Sequence, residues 1–191
     1  MHAMPALVLR LLLLSALLSI ELAQAAEVVV HASRQGGVLL VEASAEIEAD
    51  LLQTWGVLTD YDHLSGFIPG MYVSRVLARD GNRLLLEQKG EARLLFLTYP
   101  IEVRLAVAEF PHERIVARAV AGNFREMVGT YSLGARDNRV ALRYEGRLVP
   151  DFFVPPLIGT LVLRRNVERQ FSALVDEIAR RQRGALEKRG Q

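Results

Sequence analysis

Residues 150–182 read PDFFVPPLIGTLVLRRNVERQFSALVDEIARRQ, and this stretch decides the fold. Prolines at 150, 155 and 156 punctuate an apolar connector. Pro155 and Pro156 suit the first turn of a helix, where a missing N–H costs nothing. Leu157, Leu161, Val167, Phe171, Leu174 and Ile178 then recur every three or four residues, and charged residues from Arg164 to Arg181 take much of the other surface. The spacing predicts one helix over 157–182, about 39 Å long at about 1.5 Å per residue. Asp176/Arg180 and Glu177/Arg181 add i,i+4 pairs with the acid N-terminal, the favourable order.

Working back from this helix, the chain reads as strand. Arg139–Val149 alternates, with Val140, Leu142, Tyr144 and Leu148 opposing Arg139, Arg143, Glu145 and Arg147. Phe124–Leu133 precedes it across Gly134–Asn138, and Arg114–Val120 comes before that. Ile101, Val103, Leu105 and Val107 alternate with Glu102, Arg104, Ala106 and Ala108. Met71–Arg79 and Arg83–Arg93 form a hairpin about Asp80-Gly81-Asn82. Further back the period changes to helical over Ala49–Leu58, with Leu51, Leu52, Trp55 and Leu58 on one face. Asp60 is placed to cap a short helix carrying Tyr61, Leu64 and Phe67, which Pro69-Gly70 ends. Val38–Ile47 is a strand, and residues 26–37 are a mixed lead-in. The order is strand, two helices, about six strands, long helix. Consecutive hairpins with segregated helices make this α+β, with an antiparallel sheet wet on one face and dry on the other.

The N-terminus has a different pattern. Arg10 precedes an apolar run over Leu11–Ile20, followed by Ala23-Gln24-Ala25. This is the order of a secretory signal, cleaved after Ala25. The run is too short to span a bilayer, which takes about 20 apolar residues. The expected organisation is a signal peptide over 1–25, the lead-in over 26–37, one ligand-binding domain over 38–182 and a polar tail over 183–191. The expected location is periplasmic or secreted. The net charge is +1, which argues against nucleic acid as a partner, since that needs clustered excess positive charge. The chain has no cysteine, so disulfides, thiol nucleophiles and thiolate metal sites are excluded.

The segment Leu58–Gly70 (LTDYDHLSGFIPG), with Trp55, Asp60, Tyr61, Phe67, Pro69 and Gly70, resembles the polyketide cyclase/dehydrase and coenzyme Q-binding branch of the START-like (SRPBCC) superfamily. Glu87-Gln88-Lys89-Gly90, Gly122-Asn123-Phe124 and the proline-rich approach to the last helix add to the likeness, which covers about residues 38–182. The resemblance implies a START-like, Bet v 1-like helix-grip fold: a curved antiparallel sheet of about seven strands around the C-terminal helix, with a cavity between. It also implies a hydrophobic ligand, such as a lipid, quinone or polycyclic molecule, held without a cofactor. The members include carriers and aromatic-polyketide cyclases, so two alternatives accompany the binding reading. One is a cyclase- or dehydratase-type enzyme; the other is a protein-interaction module.

Strand parity and helix spacing select the cavity wall. The expected inward residues are Leu84, Leu86, Gln88, Val103, Leu105, Glu126, Val128, Tyr131, Leu142 and Tyr144, faced by Leu161 and Phe171 of the helix. Glu126, Gln88 and Tyr144 are the candidates for acid/base or orienting roles. An inward polar group needs a partner in the protein, in water or in a ligand. Phe152, Phe153, Leu157 and Ile158 form an apolar lip, expected to touch a membrane or a protein transiently during loading. The arginine-rich helix surface is another candidate for an anionic membrane, against the alternative of an ordinary solvated face. His31, His63 and His112 lie far apart, and no metal-binding or phosphate-binding motif is present. Asp60 and Asp62 are two apart, a spacing that does not share a helical face and argues against a carboxylate pair.

Overall fold

The computed structural model describes residues 26–94, 97–137 and 139–190. The expected leader over 1–25 lies outside them. Eight strands form one antiparallel sheet: β1 (Val28–Gln35), β2 (Val38–Ile47), β3 (Met71–Asp80), β4 (Arg83–Leu94), β5 (Leu97–Phe110), β6 (Arg114–Gly122), β7 (Phe124–Arg136) and β8 (Arg139–Pro150). The sheet order is β1-β2-β8-β7-β6-β5-β4-β3. The meander from β3 to β8 therefore returns to lay β8 against β2, and the sheet stays open, with β1 and β3 as edges. Two helical pieces, α1 (Leu51–Leu58) and a 3₁₀ helix (Tyr61–Gly66), separate β2 from β3. The terminal helix α2 runs Pro156–Arg189 and packs across β1 and β2, beside α1 and against β4.

The helix-grip architecture is thus present, with two adjustments. The lead-in contains an edge strand, because Val28, Val30 and Ala32 turn one face toward the core and pair with Ala45, Ala43 and Val41. The helix also continues past Gln182 to Arg189, since residues 183–189 contain no breaker other than Gly184. At its other end Pro155 is the N-cap and Pro156 the first helical residue, the position a proline tolerates best.

Local chemistry fixes the closed end of the grip. Asp50 caps α1, its Oδ1 accepting from the Gln53 N–H at 2.6 Å. Asp60 does not cap the 3₁₀ helix. Its carboxylate instead receives Arg181 Nη1 of α2 at 2.8 Å and lies 2.5 Å from His63 Nδ1. Asp62 turns the other way and accepts from the Val76 N–H at 2.8 Å, where β3 is bulged. The two carboxylates are structural ties to different elements. Ala49, Val57, Leu58 and Tyr61 from this region close over Ile47, Leu84, Leu86, Leu105, Leu142, Phe171, Leu174 and Ile178 in one packed core.

A cavity at the open end of the grip

At the other end of the sheet the layers separate. A cavity of about 180 Å³ lies between the concave face and the first half of α2. Its sheet wall includes Leu39, Val41, Gln88, Val103, Met127, Tyr144 and Leu148, its helix wall Val162, Leu163, Asn166, Val167 and Gln170. Tyr99, Phe124 and Phe152 form an aromatic rim, with Phe152 stacked on Tyr99 at 5.6 Å and edge-on to Phe124 at 5.8 Å between ring centres. The lining is mainly apolar.

Glycines shape both the floor and the rim. Gly129 and Gly146 pair across β7 and β8. A Cβ on Gly129 would lie 3.0 Å from the Tyr144 hydroxyl, and one on Gly146 only 2.8 Å from it. Tyr144 can therefore lie flat along the sheet, over two positions with no side chain, and extend toward the open end. Its ring contacts Tyr131 at 4.7 Å between centres. Burial pushes the Tyr144 hydroxyl up to about 12 and raises that of Tyr131 as well. Both are neutral hydrogen-bonding groups near pH 7, not bases.

Gly122 has φ +120°, and a Cβ there would sit 2.0 Å from the Glu102 carbonyl. The close crossing lets Asn123 staple the rim. Its Oδ1 accepts from the Glu102 N–H at 3.1 Å and its Nδ2 donates to the Pro100 carbonyl at 2.6 Å, while its carbonyl accepts from the Asp151 N–H at 3.0 Å. Gly70 and Gly90 make a similar crossing where β3 starts against β4: a Cβ on Gly90 would be 2.2 Å from the Gly70 carbonyl. Close backbone approach accounts for the glycines at 70, 90 and 122 that carry the sequence resemblance.

Of the expected wall, Gln88, Val103 and Tyr144 line the cavity, as does Phe152 of the lip. The Gln88 amide donates to the buried Ser74 hydroxyl at 3.3 Å. Leu84, Leu86, Leu105, Leu142 and Phe171 face inward as parity required, but they interlock in the packed core behind the cavity. Tyr131 sits behind Tyr144 rather than on the surface of the void. Glu126 and Val128 point the other way. A register shift between Phe124 and Glu126 adds one residue, so Phe124 and Met127 face in while Glu126 and Val128 face out. Glu126 pairs with Arg147 at 2.7 Å on the exposed side, and this hydrogen bond lowers its pKa; Val128 lies opposite Arg147 and Arg118. The best candidate base is therefore on the wrong side of the sheet.

Leu161 is 39% exposed and faces solvent. The stripe that buries Phe171, Leu174 and Ile178 in the second half of α2 is not the one that faces the cavity in the first half. At about 100° per residue, the wall formed by Val162, Leu163, Asn166 and Val167 is turned by roughly a quarter turn from it. Ile158 packs with Ala92 and Val162 rather than forming a lip. The side chain of Leu157 lies outside the described residues, and Phe153 is 79% exposed. Strand parity without the bulge missed Met127. Gly129 and Gly146, two glycines inside strand-like sequence, were the available signal for a close approach.

Two charged groups reach the mouth, Lys89 and Glu91. Glu91 is held ionised, hydrogen-bonded first by Tyr72 and then by Arg93, and its pKa is lowered. Among the described residues no cluster of three or more metal-ligating side chains occurs, and no helix is long and apolar enough to cross a membrane.

Known proteins share this fold. The family described as polyketide cyclase/dehydrase and lipid transport matches residues 47–175. Among solved structures, the Zhui aromatase/cyclase from Streptomyces sp. R1128 superposes with a TM-score of 0.64 at 17% identity, over 75% of this chain and 95% of that one. A START superfamily protein from Mycobacterium smegmatis gives 0.63 at 16% identity, over 74% and 97%. A STAR-related lipid transfer protein fragment from Xanthomonas axonopodis gives 0.62 at 12% identity, over 82% and 94%. At these identities the structures establish the fold alone. No curated protein sequence matches the chain. The family match spans well over half of the residues, from the end of β2 into the second half of α2, and the chain belongs to the polyketide cyclase/dehydrase and lipid transport family.

Proposed function

We propose that this protein is a binding protein for a small hydrophobic molecule, held in the cavity between the sheet and the first half of α2. One observation carries the reading: a mainly apolar void of about 180 Å³ remains where the rest of the same interface is tightly packed. Protein interiors are close-packed, and a void this size forgoes contacts that a guest would restore. Apolar burial drives binding and requires no cofactor. The volume is below the roughly 300–1,000 Å³ of drug-sized pockets. It suits a single ring or one stretch of acyl chain better than a fused polycycle. The Tyr144 hydroxyl on the floor and Gln88, Asn166 and Gln170 on the walls supply the few polar contacts that orient such a guest. The cyclase-type alternative loses support, since Glu126 lies outside and Glu91 is tied to Tyr72 and Arg93.

The reading includes export. The leader-like order of residues 1–25 supports delivery out of the cytoplasm with cleavage after Ala25, and intact mass of the cell-derived protein checks it.

The test of binding is native mass spectrometry of protein purified from its own host, followed by thermal shift with single-chain fatty acids and single-ring quinones. A co-purifying apolar mass, or a concentration-dependent rise in Tm lost in Val103→Phe, is the expected result. Protein that carries nothing and is not shifted by either class overturns the reading.

A further inference from the structure

We infer that the segment 151–165 at the cavity mouth docks on a phospholipid bilayer bearing anionic head groups, with the Phe153 ring inserted among the lipids. Phe153 is 79% exposed, the most exposed large apolar side chain among the described residues, beside the rim residue Phe152. Its backbone is held in place. Arg34 Nη1 donates to the Val154 carbonyl at 3.2 Å, Arg125 Nη2 donates to the Pro150 carbonyl at 3.4 Å, and Gly159 lets Val154 fold directly onto α2. A mobile loop would hide its phenylalanine by collapse; a stapled one presents it.

The charge pattern matches the same occupant. Leu161, Arg164 and Arg165 share the outward stripe of α2 that follows the loop, all exposed. Neither Arg164 nor Arg165 has an ion-pair partner among the described residues. Asp151, the acid nearest Phe153 in sequence, faces Arg125 at 3.8 Å. Each guanidinium has five N–H donors suited to phosphate oxygens, and each basic side chain near an anionic bilayer contributes about 1 kcal/mol. Area decides against a protein partner. A stable protein interface buries about 800 Å² per side around an apolar centre, and among the described side chains of this segment one exposed ring and a partly exposed leucine do not supply it. One exposed aromatic ring, followed two turns into α2 by two exposed arginines, does suit a lipid interface, where rings sit at head-group level.

The inference does not depend on what fills the cavity, because Phe153 is not part of its wall. The test uses the chain as the cell processes it, its N-terminus read by intact mass, so that the apolar run over 11–20 is accounted for. Phe153→Trp is titrated with phosphatidylcholine vesicles and with vesicles containing phosphatidylglycerol. Against the Trp55 background, emission at position 153 should shift to the blue and be quenched by brominated acyl chains, on the anionic vesicles only. Arg164→Gln with Arg165→Gln should weaken vesicle binding roughly thirty-fold, and Phe153→Ser should weaken it while leaving cavity occupancy by native mass spectrometry unchanged. Emission that ignores anionic vesicles overturns the docking surface. So does a shift that is equal on neutral vesicles, or one that appears only when membrane proteins are supplied. Loss of cavity occupancy in wild-type protein that still docks would instead strike the binding reading alone.

Discussion

The two ends of the grip are built from the same strands yet behave as different materials. On β8, Leu142 at the closed end is fully buried among Ile47, Leu86 and Ile178, whereas Leu148 on the same face borders the void. The closed end is stoppered by α1 and the 3₁₀ helix and tied by charge: Glu177 receives Arg180 at 2.6 and 2.7 Å and Arg181 at 2.6 Å, and Arg181 continues to Asp60. At the open end the loop 151–155 and its flanks are held by Arg34, Arg125 and Asn123. Tight packing and charge ties are concentrated at one end, and empty space is left at the other.

The comparison predicts an asymmetry in mutational cost. Ile178→Ala or Leu142→Ala should lose about 2–5 kcal/mol in denaturant unfolding, the range for core truncation. Met127→Ala at the open end should lose less than half as much, because its side chain already borders empty space. Equal losses would erase the distinction. Gly122→Ala forces a left-handed φ on a residue with a side chain and drives a Cβ into the Glu102 carbonyl, so it should cost about 1–3 kcal/mol from the strained backbone alone. It should also lower guest affinity by loosening the Asn123 staple.

Val103→Phe sharpens the contrast from the other side. Filling the cavity should abolish guest binding while the overpacking penalty stays within about 1–3 kcal/mol. If binding survives, the guest sits elsewhere. A smaller effect is expected from pH. Hydrogen bonds from Arg180, then from Arg181, hold Glu177 at about 2, below its ordinary 4.5. A lowered carboxylate stabilises the fold fully above the ordinary value and loses that contribution as pH falls through the folded one. The closed end should therefore weaken between about pH 4.5 and pH 2. Glu177→Gln should be less stable than wild type at pH 7, and the gap should close across that window. Smallest of all, Glu126→Gln should leave both the unfolding midpoint and guest binding unchanged, as an exposed pair with Arg147 on the outer face. A loss of binding there would restore Glu126 to the cavity.

The places where expectation and structure part have particular causes. Alternation in β4 and β5 placed Leu84, Leu86, Gln88, Val103 and Leu105 on the concave face, and all are inward. What alternation does not encode is depth along the strand, so it could not separate Gln88 and Val103, which border the void, from Leu84, Leu86 and Leu105, which do not. In β7 one extra residue between Phe124 and Glu126 reversed parity for everything after it. In α2 a single stripe drawn through Leu161 and Phe171 assumed that one side of the helix stays buried throughout. Near its start the helix meets Ala92 and Tyr99 through Ile158 and Val162, and farther on it reaches the start of α1, where the Asp50 N–H donates to Gln182, so its buried side turns.

Local pattern in the chain determined the strands, the long helix, the antiparallel meander and the proline-stapled connector, because periodicity, turn residues and caps act over a few residues. Only the folded molecule decided that the layers touch at one end and part at the other. That separation depends on a bulge, on the turning of α2 and on the paired glycines under Tyr144, each of which acts through contacts between elements distant in sequence.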